Sequence, residues 1–313
     1  GALLEELQRN LRLISVVVCL AVLVLFGAFS TFLSRRVRTL LGGIRTVRAG
    51  EYTHRISMDG HDELAQLAEE FNQLTGRLQV TEEERRRFVS DASHELKTPL
   101  ASIRLLTDSI LQDASIDRDT AREFVADIGE AADRLIHISQ ELLELNRLDE
   151  GRDMAQEPVD WTEQVEKIGR MLAPLAEEDR ITLETDLGED CIVRCNQEDA
   201  SQILRNLMEN AIKYNVTGGE VLVTTRRQGA RVLLSVADTG VGIPEADMPR
   251  IFERFYRVDK ARSRAAGGTG LGLSIVRDAV RHHGGTITVQ ARQPAGVVFT
   301  VILPAWREEE SGG

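Results

Sequence analysis

Aromatic side chains are scarce in this chain of 313 residues, only 4% of the total. That suits long helical bundles better than an aromatic-rich β-sandwich. Cysteine is scarcer still, with Cys19, Cys191 and Cys195 the three in the sequence. The last two stand in the strand-like run Cys191-Ile192-Val193-Arg194-Cys195. A lone C-x3-C with no second pair and no nearby histidine is a poor zinc site, so reduced structural thiols are expected. An excess of basic charge is also missing. Lys and Arg total 38 against 50 Asp and Glu, for a net charge of -12. A general nucleic-acid binder would carry a basic face, so no nucleic-acid partner is expected. The length allows one to three domains.

One absence is local. No charged residue stands between Arg12 and Arg35. Leu13 to Ser34, at ~1.5 Å per residue, spans roughly 33 Å as a helix, enough to cross a hydrocarbon core. A signal peptide would have a shorter apolar region and a small-residue cleavage site. A buried soluble helix of this length would include polar positions. Arg35, Arg36, Arg38, Arg45 and Arg48 follow the run, whereas Arg9 and Arg12 before it are offset by Glu5 and Glu6. The positive-inside rule then places residues after 34 in the cytoplasm, with the helix in the inner (plasma) membrane. The chain starts at Gly1. The expectation is a piece of a longer protein whose external sensing domain and earlier membrane helix precede it.

Past the membrane, Val37, Leu40, Leu41, Ile44 and Val47 recur at helical spacing, up to Gly50, which suits a C-cap. A connector from Thr53 to Gly60 follows. Asp62 can cap a second helix bearing Leu64, Leu67, Phe71, Leu74 and Leu78. This arrangement, with the string Asp62-Glu63-Leu64-Ala65-Gln66-Leu67-Ala68-Glu69-Glu70-Phe71-Asn72, resembles a HAMP signal-relay domain. A plain helical linker would share the periodicity, and Thr39-Leu40 stands where that family often has a proline. A parallel coiled coil of four helices needs two copies, so a homodimer is implied.

A helix from Thr81 to Leu111 turns Phe88, Ala92, Leu96, Ile103 and Leu106 inward. A loop at Asp113 to Asp117 joins it to a second helix, Arg118 to Leu148, with Phe124, Ile128, Ala131, Leu135, Ile138, Leu142 and Leu145 on one stripe. Such an antiparallel hairpin buries little alone, and pairing into a dimeric four-helix bundle is the natural solution. Within it stands Ser93-His94-Glu95-Leu96-Lys97-Thr98-Pro99. His94 and Thr98 are four apart and share a face. The Glu95 carboxylate can reach the Nδ1 side of the imidazole and leave Nε2 nucleophilic. Pro99 removes the helical partner of the Glu95 carbonyl, so a bend is expected there, at a cost of ~3 kcal/mol. The other histidines read as ordinary surface residues.

This string resembles the phosphoacceptor box of sensor histidine kinases. The resemblance makes His94 the phosphorylated residue, Glu95 its acid/base partner and Thr98 the residue that orients water for dephosphorylating a partner response regulator.

From Glu157-Pro158 onward, helices at 160–179, 197–213 and 271–283 alternate with strands at 181–186, 191–195, 220–226, 231–237, 286–290 and 297–303. This predicts an α/β sandwich, one sheet covered by helices on one face. Asn206, Asn210 and Lys213 share a helical face, where amide oxygen suits Mg2+ and lysine suits phosphate. Asp238-Thr239-Gly240-Val241-Gly242 follows an apolar strand; its carboxylate can accept from an adenine amine. Ile251 to Arg257 is an aromatic segment. Gly267-Gly268-Thr269-Gly270-Leu271-Gly272 precedes a helix whose free N–H groups form a phosphate cradle. Neither a Walker motif nor the serine/threonine kinase motifs occur.

Each string is weak alone. Together, and in this order, they resemble the N, G1, F and G2 boxes of the histidine-kinase ATPase family, whose fold is shared with DNA gyrase B, MutL and Hsp90. The resemblance implies ATP and Mg2+. Asn210 would hold the metal and Asp238 the adenine. Asn206, Lys213, Tyr214, Gly240, Gly242, Gly268, Thr269, Gly270, Leu271 and Gly272 would contact the nucleotide. Residues 257–268 would form a flexible lid.

The whole reads as a multidomain membrane-bound sensor histidine kinase, with an N-terminal remnant at 1–12, a transmembrane helix at 13–34 and a HAMP domain at 35–86. A dimerisation and phosphotransfer domain is expected at 87–152, a catalytic ATP-binding domain at 155–305 and a tail at 306–313. A scaffold that binds nucleotide without autophosphorylating is the alternative, against which the full set of boxes weighs. The gyrase and Hsp90 branch lacks the hairpin and the membrane helix.

Overall fold

The computed structural model describes residues 2–112, 116–149, 156–259 and 268–306. The tip of the expected hairpin loop, most of the expected lid and all but Trp306 of the expected tail lie outside the described residues. Contacts divide the chain into two units, 1–89 and 90–313.

In the first unit, α1 runs over Ala2–Arg48. Its apolar part is long enough to cross a membrane, and its side chains there are all exposed. After Gly50, which takes a positive φ of 97°, the chain runs without helix or strand to Asp62. The Asp62 Oδ1 accepts from the Ala65 amide at 3.0 Å and caps α2, Glu63–Gln112. Leu40, Ile56 and Ala68 bury together, with Met58 and Phe71 against them. Gly43 makes room for this, since a Cβ there would collide with the Ile56 side chain. Asn72 fastens the connector. Its Oδ1 accepts from the Ile56 amide at 2.8 Å, and its Nδ2 donates to the Ile56 carbonyl at 2.9 Å. The expected single stripe on α1 is divided: Leu40 and Val47 are buried, whereas Val37, Leu41 and Ile44 are exposed.

Sequence patterning suggests a break near residue 80, yet α2 is continuous. No glycine or proline stands between Arg77 and Thr98. Glu82 pairs with Arg85 and Arg86 across one turn, so nothing ends the helix there. It also continues through Pro99, which is buried.

In the second unit, the later part of α2 and α3, Arg118–Asp149, carry the expected inward stripes. Ile138 and Leu145 are fully buried and the other inward positions half-buried. Next come β1 (Glu157–Asp160), α4 (Trp161–Glu178), β2 (Thr182–Leu187), β3 (Ile192–Cys195), α5 (Gln197–Lys213), β4 (Glu220–Gln228) and β5 (Arg231–Asp238). Then follow α6 (Gly272–His282), β6 (Thr286–Ala291) and β7 (Val297–Pro304). The main sheet has five strands in the order β2-β4-β5-β7-β6, antiparallel except for β2 with β4. A small second sheet pairs β1 with β3.

Helices α4, α5 and α6 cover one face of the main sheet. Their apolar stripes, among them Trp161, Val165, Ile203, Leu207 and Val276, meet alternate strand residues such as Val223, Leu234, Val236 and Val301. Asp160 and Asn196 cap α4 and α5 through bonds of 2.8 and 2.7 Å to the Thr162 and Glu198 amides. Cys191 and Cys195 are free, buried thiols of this core. Burial pushes Cys195 up to about 12. His283 departs from its expected surface place: it is buried, with Nε2 2.7 Å from Asp199 Oδ2. Arg147, near the end of α3, pairs with Asp199 and with Glu198, tying the hairpin to α5.

Candidate functional site

A cavity of about 360 Å3 opens beside α5, between the end of β5 and the start of α6. Burial of the apolar side of α5 turns Asn206, Asn210 and Lys213 into this space. Lys213 also reaches Glu209 at 3.4 Å. Asp238 ends β5, only 5% exposed. Its Oδ1 accepts from the amides of Gly240 at 2.8 Å and Val297 at 3.3 Å, which leaves Oδ2 unengaged. Burial outweighs those bonds and raises its pKa.

The glycines shape the cavity. A Cβ on Gly240 would strike the Tyr214 carbonyl, so Gly240 lets the loop close behind Asp238 without itself lining the space. Gly242 has a φ of 73° and lines it. Gly270 has a φ of 81°, and a Cβ there would lie 2.9 Å from the Phe255 carbonyl carbon. Phe255 donates its amide to the Gly270 carbonyl at 2.9 Å. The aromatic segment and the glycine loop are thereby stitched together. Gly272 sits against Asn206 Oδ1, with no room for a side chain. Thr269 is buried, and its Oγ1 accepts from the Leu271 amide at 3.2 Å.

Ten of the expected nucleotide residues therefore share one cavity: Asn206, Asn210, Lys213, Tyr214, Asp238, Gly242, Gly268, Thr269, Gly270 and Gly272. Leu271 does not; it is fully buried under the loop. The cavity combines apolar walls, a buried carboxylate with a free oxygen, amide oxygens, a lysine and a glycine-rich helix start. That set fits a purine nucleotide with its polyphosphate. Among the described residues no cluster of His, Cys, Asp and Glu could hold a metal by itself. Asn210 with phosphate oxygens is the kind of oxygen site Mg2+ takes.

His94, Glu95 and Thr98 lie on α2, outside the cavity lining. His94 is exposed, and its imidazole makes no hydrogen bond among the described residues. Thr98 Oγ1 donates to the His94 carbonyl at 3.3 Å. Glu95 turns to arginine: its Oε2 is 2.9 Å from Arg257 and 3.5 Å from Arg134. Arg257 itself lines the cavity, linking the two places.

Two cavity residues on α3 escaped the sequence reading. His137 and Glu141 project from α3, 3.5 Å apart. Glu141 is buried, with no partner for Oε2, and burial raises its pKa despite a hydrogen bond from Thr269. On the sequence they are merely a polar pair one turn apart.

Comparison with known proteins matches three families along the chain. These are the HAMP domain at 28–80, the His Kinase A (phospho-acceptor) domain at 84–151, and the Histidine kinase-, DNA gyrase B-, and HSP90-like ATPase at 195–307. The signal transduction histidine-protein kinase BaeS of Escherichia coli K12 is 34% identical, over 92% of this chain and 62% of its own length. The sensor histidine kinase YkoH of Bacillus subtilis 168 is 32% identical, over 99% and 68%. SenX3 of Mycobacterium tuberculosis H37Rv is 41% identical, over 71% and 54%. The chain thus spans between half and two thirds of the length of most of these relatives. Among solved structures, full-length ShkA in complex with AMPPNP has a TM-score of 0.53 at 27% identity, covering 70% of this chain and 45% of that one. ThkA in complex with the response regulator TrrA has a TM-score of 0.58 at 23% identity, covering 80% and 69%, a likeness of fold.

Proposed function

Because this chain belongs to the sensor histidine kinases, we propose that it uses ATP to phosphorylate its own His94 and passes the phosphoryl group to an aspartate of a response regulator. The observation that carries this reading is the cavity lined by Asn210, Lys213, Asp238 and Thr269, joined through Arg257 to the helix that bears His94. ShkA, similar over 70% of this chain, is described with a nucleotide analogue, which supports ATP here.

In the proposed reaction, Asp238 Oδ2 accepts from the adenine amine, while Lys213 and the amides at 268–272 hold the phosphates. Asn210 would hold Mg2+, which would supply compensation of the phosphate charge. The Nε2 lone pair of His94 forms the N–P bond to the γ-phosphorus as the bond to the β,γ-bridging oxygen breaks and ADP leaves. Glu95 accepts the hydrogen bond from Nδ1–H and stabilises the cationic ring. Positioning and charge compensation supply most of the acceleration. Gly240 and Leu271 act from behind, by fixing the loops. Thr98, four residues from His94, orients water when phosphate is removed from the regulator.

The domain boundaries given above go with this reading. The Leu13–Ser34 stretch is the membrane span, with residues after 34 on the cytoplasmic side, supported by the arginines that follow it. The exposed apolar stripes on α1 and α2 support a homodimer.

His94→Gln abolishes acid-labile, base-stable labelling from γ-labelled ATP while AMPPNP still binds. Labelling that persists in this variant moves the acceptor elsewhere.

A further inference from the structure

Arg257 makes contacts that the proposed reaction does not use. Its side chain is only 4% exposed. One terminal nitrogen, Nη2, bridges Glu95 Oε2 at 2.9 Å and the Thr269 carbonyl at 2.7 Å. Its Nε is buried with no partner. It lines the nucleotide cavity, yet its charge is spent on a carboxylate of the hairpin. Arg134 reaches the same oxygen of Glu95, so two guanidinium groups share one carboxylate. The neighbouring imidazole meanwhile lacks the bond that Glu95 would accept.

We propose that Arg257 is a positioning residue that exchanges partners, holding Glu95 when the phosphate end of the cavity is open and turning to the polyphosphate when nucleotide enters. This rests on the ATP reading of the cavity. A carboxylate neutralised by two guanidinium groups is a poor acceptor for imidazole N–H, because its charge is already compensated. The triphosphate is a stronger attraction for a buried guanidinium than one carboxylate, and the bare Nε supplies the second tooth of a bidentate fork. When Arg257 turns, Glu95 keeps only the longer contact to Arg134 and becomes available to His94 Nδ1. Occupancy of the nucleotide site and activation of the acceptor histidine are then coupled through one side chain. The coupling is reciprocal, so Glu95 must oppose polyphosphate binding.

The test is a binding cycle on the 313-residue chain in nanodiscs, with Mg2+ and AMPPNP as one probe and adenosine as the other. Glu95→Gln is expected to tighten AMPPNP on the order of fivefold and to leave adenosine unchanged. Arg257→Gln weakens AMPPNP, and Glu95→Gln added to it gives no further tightening. Arg257→Lys recovers part of the loss. If Arg257→Gln does not fold, as judged by circular dichroism, Arg257→Lys takes its place in the cycle and the Glu95 effect shrinks. Tightening that persists without Arg257 means simple repulsion between Glu95 and phosphate and overturns the exchange. So does equal tightening of adenosine, or no effect of Glu95→Gln. A wild-type chain that binds no AMPPNP overturns the ATP reading instead, and the exchange with it.

Discussion

Asp238 and Glu141 are both carboxylates buried in one cavity, and burial raises the pKa of each. Their consequences differ because Asp238 is the proposed acceptor for the adenine amine, whereas Glu141 has a buried oxygen without a partner. Asp238 accepts best when ionised. With its pKa above the ordinary 3.8, nucleotide affinity falls on acidification at a higher pH than an unperturbed aspartate would allow. Asp238→Asn loses that acceptor, and AMPPNP binding weakens about 10- to 100-fold at neutral pH, with the acid-side drop flattened. Titration calorimetry at several pH values reads both effects; an unchanged profile contradicts the adenine role. Glu141 costs stability once ionised. Below the ordinary glutamate value of 4.5 it is protonated whether folded or unfolded and costs nothing. As pH rises from there through the raised folded value, the unfolded chain gives up its proton first and the cost grows. Glu141→Gln therefore raises the melting temperature at pH 7 but not near pH 4, by about 2–4 °C for each kcal/mol of burial cost removed. An equal change at both pH values denies the desolvated carboxylate. Asp238 was legible because an aspartate after an apolar strand and before two glycines has a local pattern. Glu141 was not, because its place depends on α3 packing over the cavity, and no spacing within α3 encodes what lies opposite.

At the scale of elements, periodicity located helices and strands of the second unit within a residue or two, because alternation and helical stripes match the two sides of the sheet. It missed β1, which is four residues long, begins Glu157-Pro158 and buries Val159 alone. A strand with one inward residue has no period to read. It also missed the continuity of α2, where caps and breakers are absent and paired charges carry the helix on. The connector between α1 and α2 has no periodicity at all; Asn72 ties its middle to α2, beside Arg36 on the Asp59 carbonyl and Arg55 on Gln79. Asn72→Ala removes both bonds to Ile56 and leaves its amide and carbonyl without partners, a loss of about 2 kcal/mol in the first unit. Limited trypsin digestion then cuts faster at Arg48 and Arg55, while the second unit resists as before. Unchanged cleavage shows that Ile56 is held by packing alone.

For the whole molecule, the exposed apolar residues of the hairpin are informative by their spacing. Val125, Ile136 and Leu143 on α3 are 60%, 56% and 68% exposed. They recur at intervals of eleven and seven, so they share one stripe, turned away from the face that buries Ile138 and Leu145. On α2, Leu100 and Leu111 repeat the pattern at 59% and 77%. An isolated hairpin leaves these stripes in water, whereas a second copy covers them in a four-helix bundle. On a monomeric surface, replacing two such residues changes stability by less than about 0.5 kcal/mol. In a dimer core the same change buries two unpaired charges per chain, at a cost of several kcal/mol each. Val125→Lys with Ile136→Lys is therefore expected to halve the mass measured by light scattering in detergent and to remove His94 labelling. AMPPNP binding, which needs only residues of the second unit in one chain, persists. A double variant that keeps both its mass and its labelling leaves these stripes without a partner and rejects the dimer as the unit of phosphorylation.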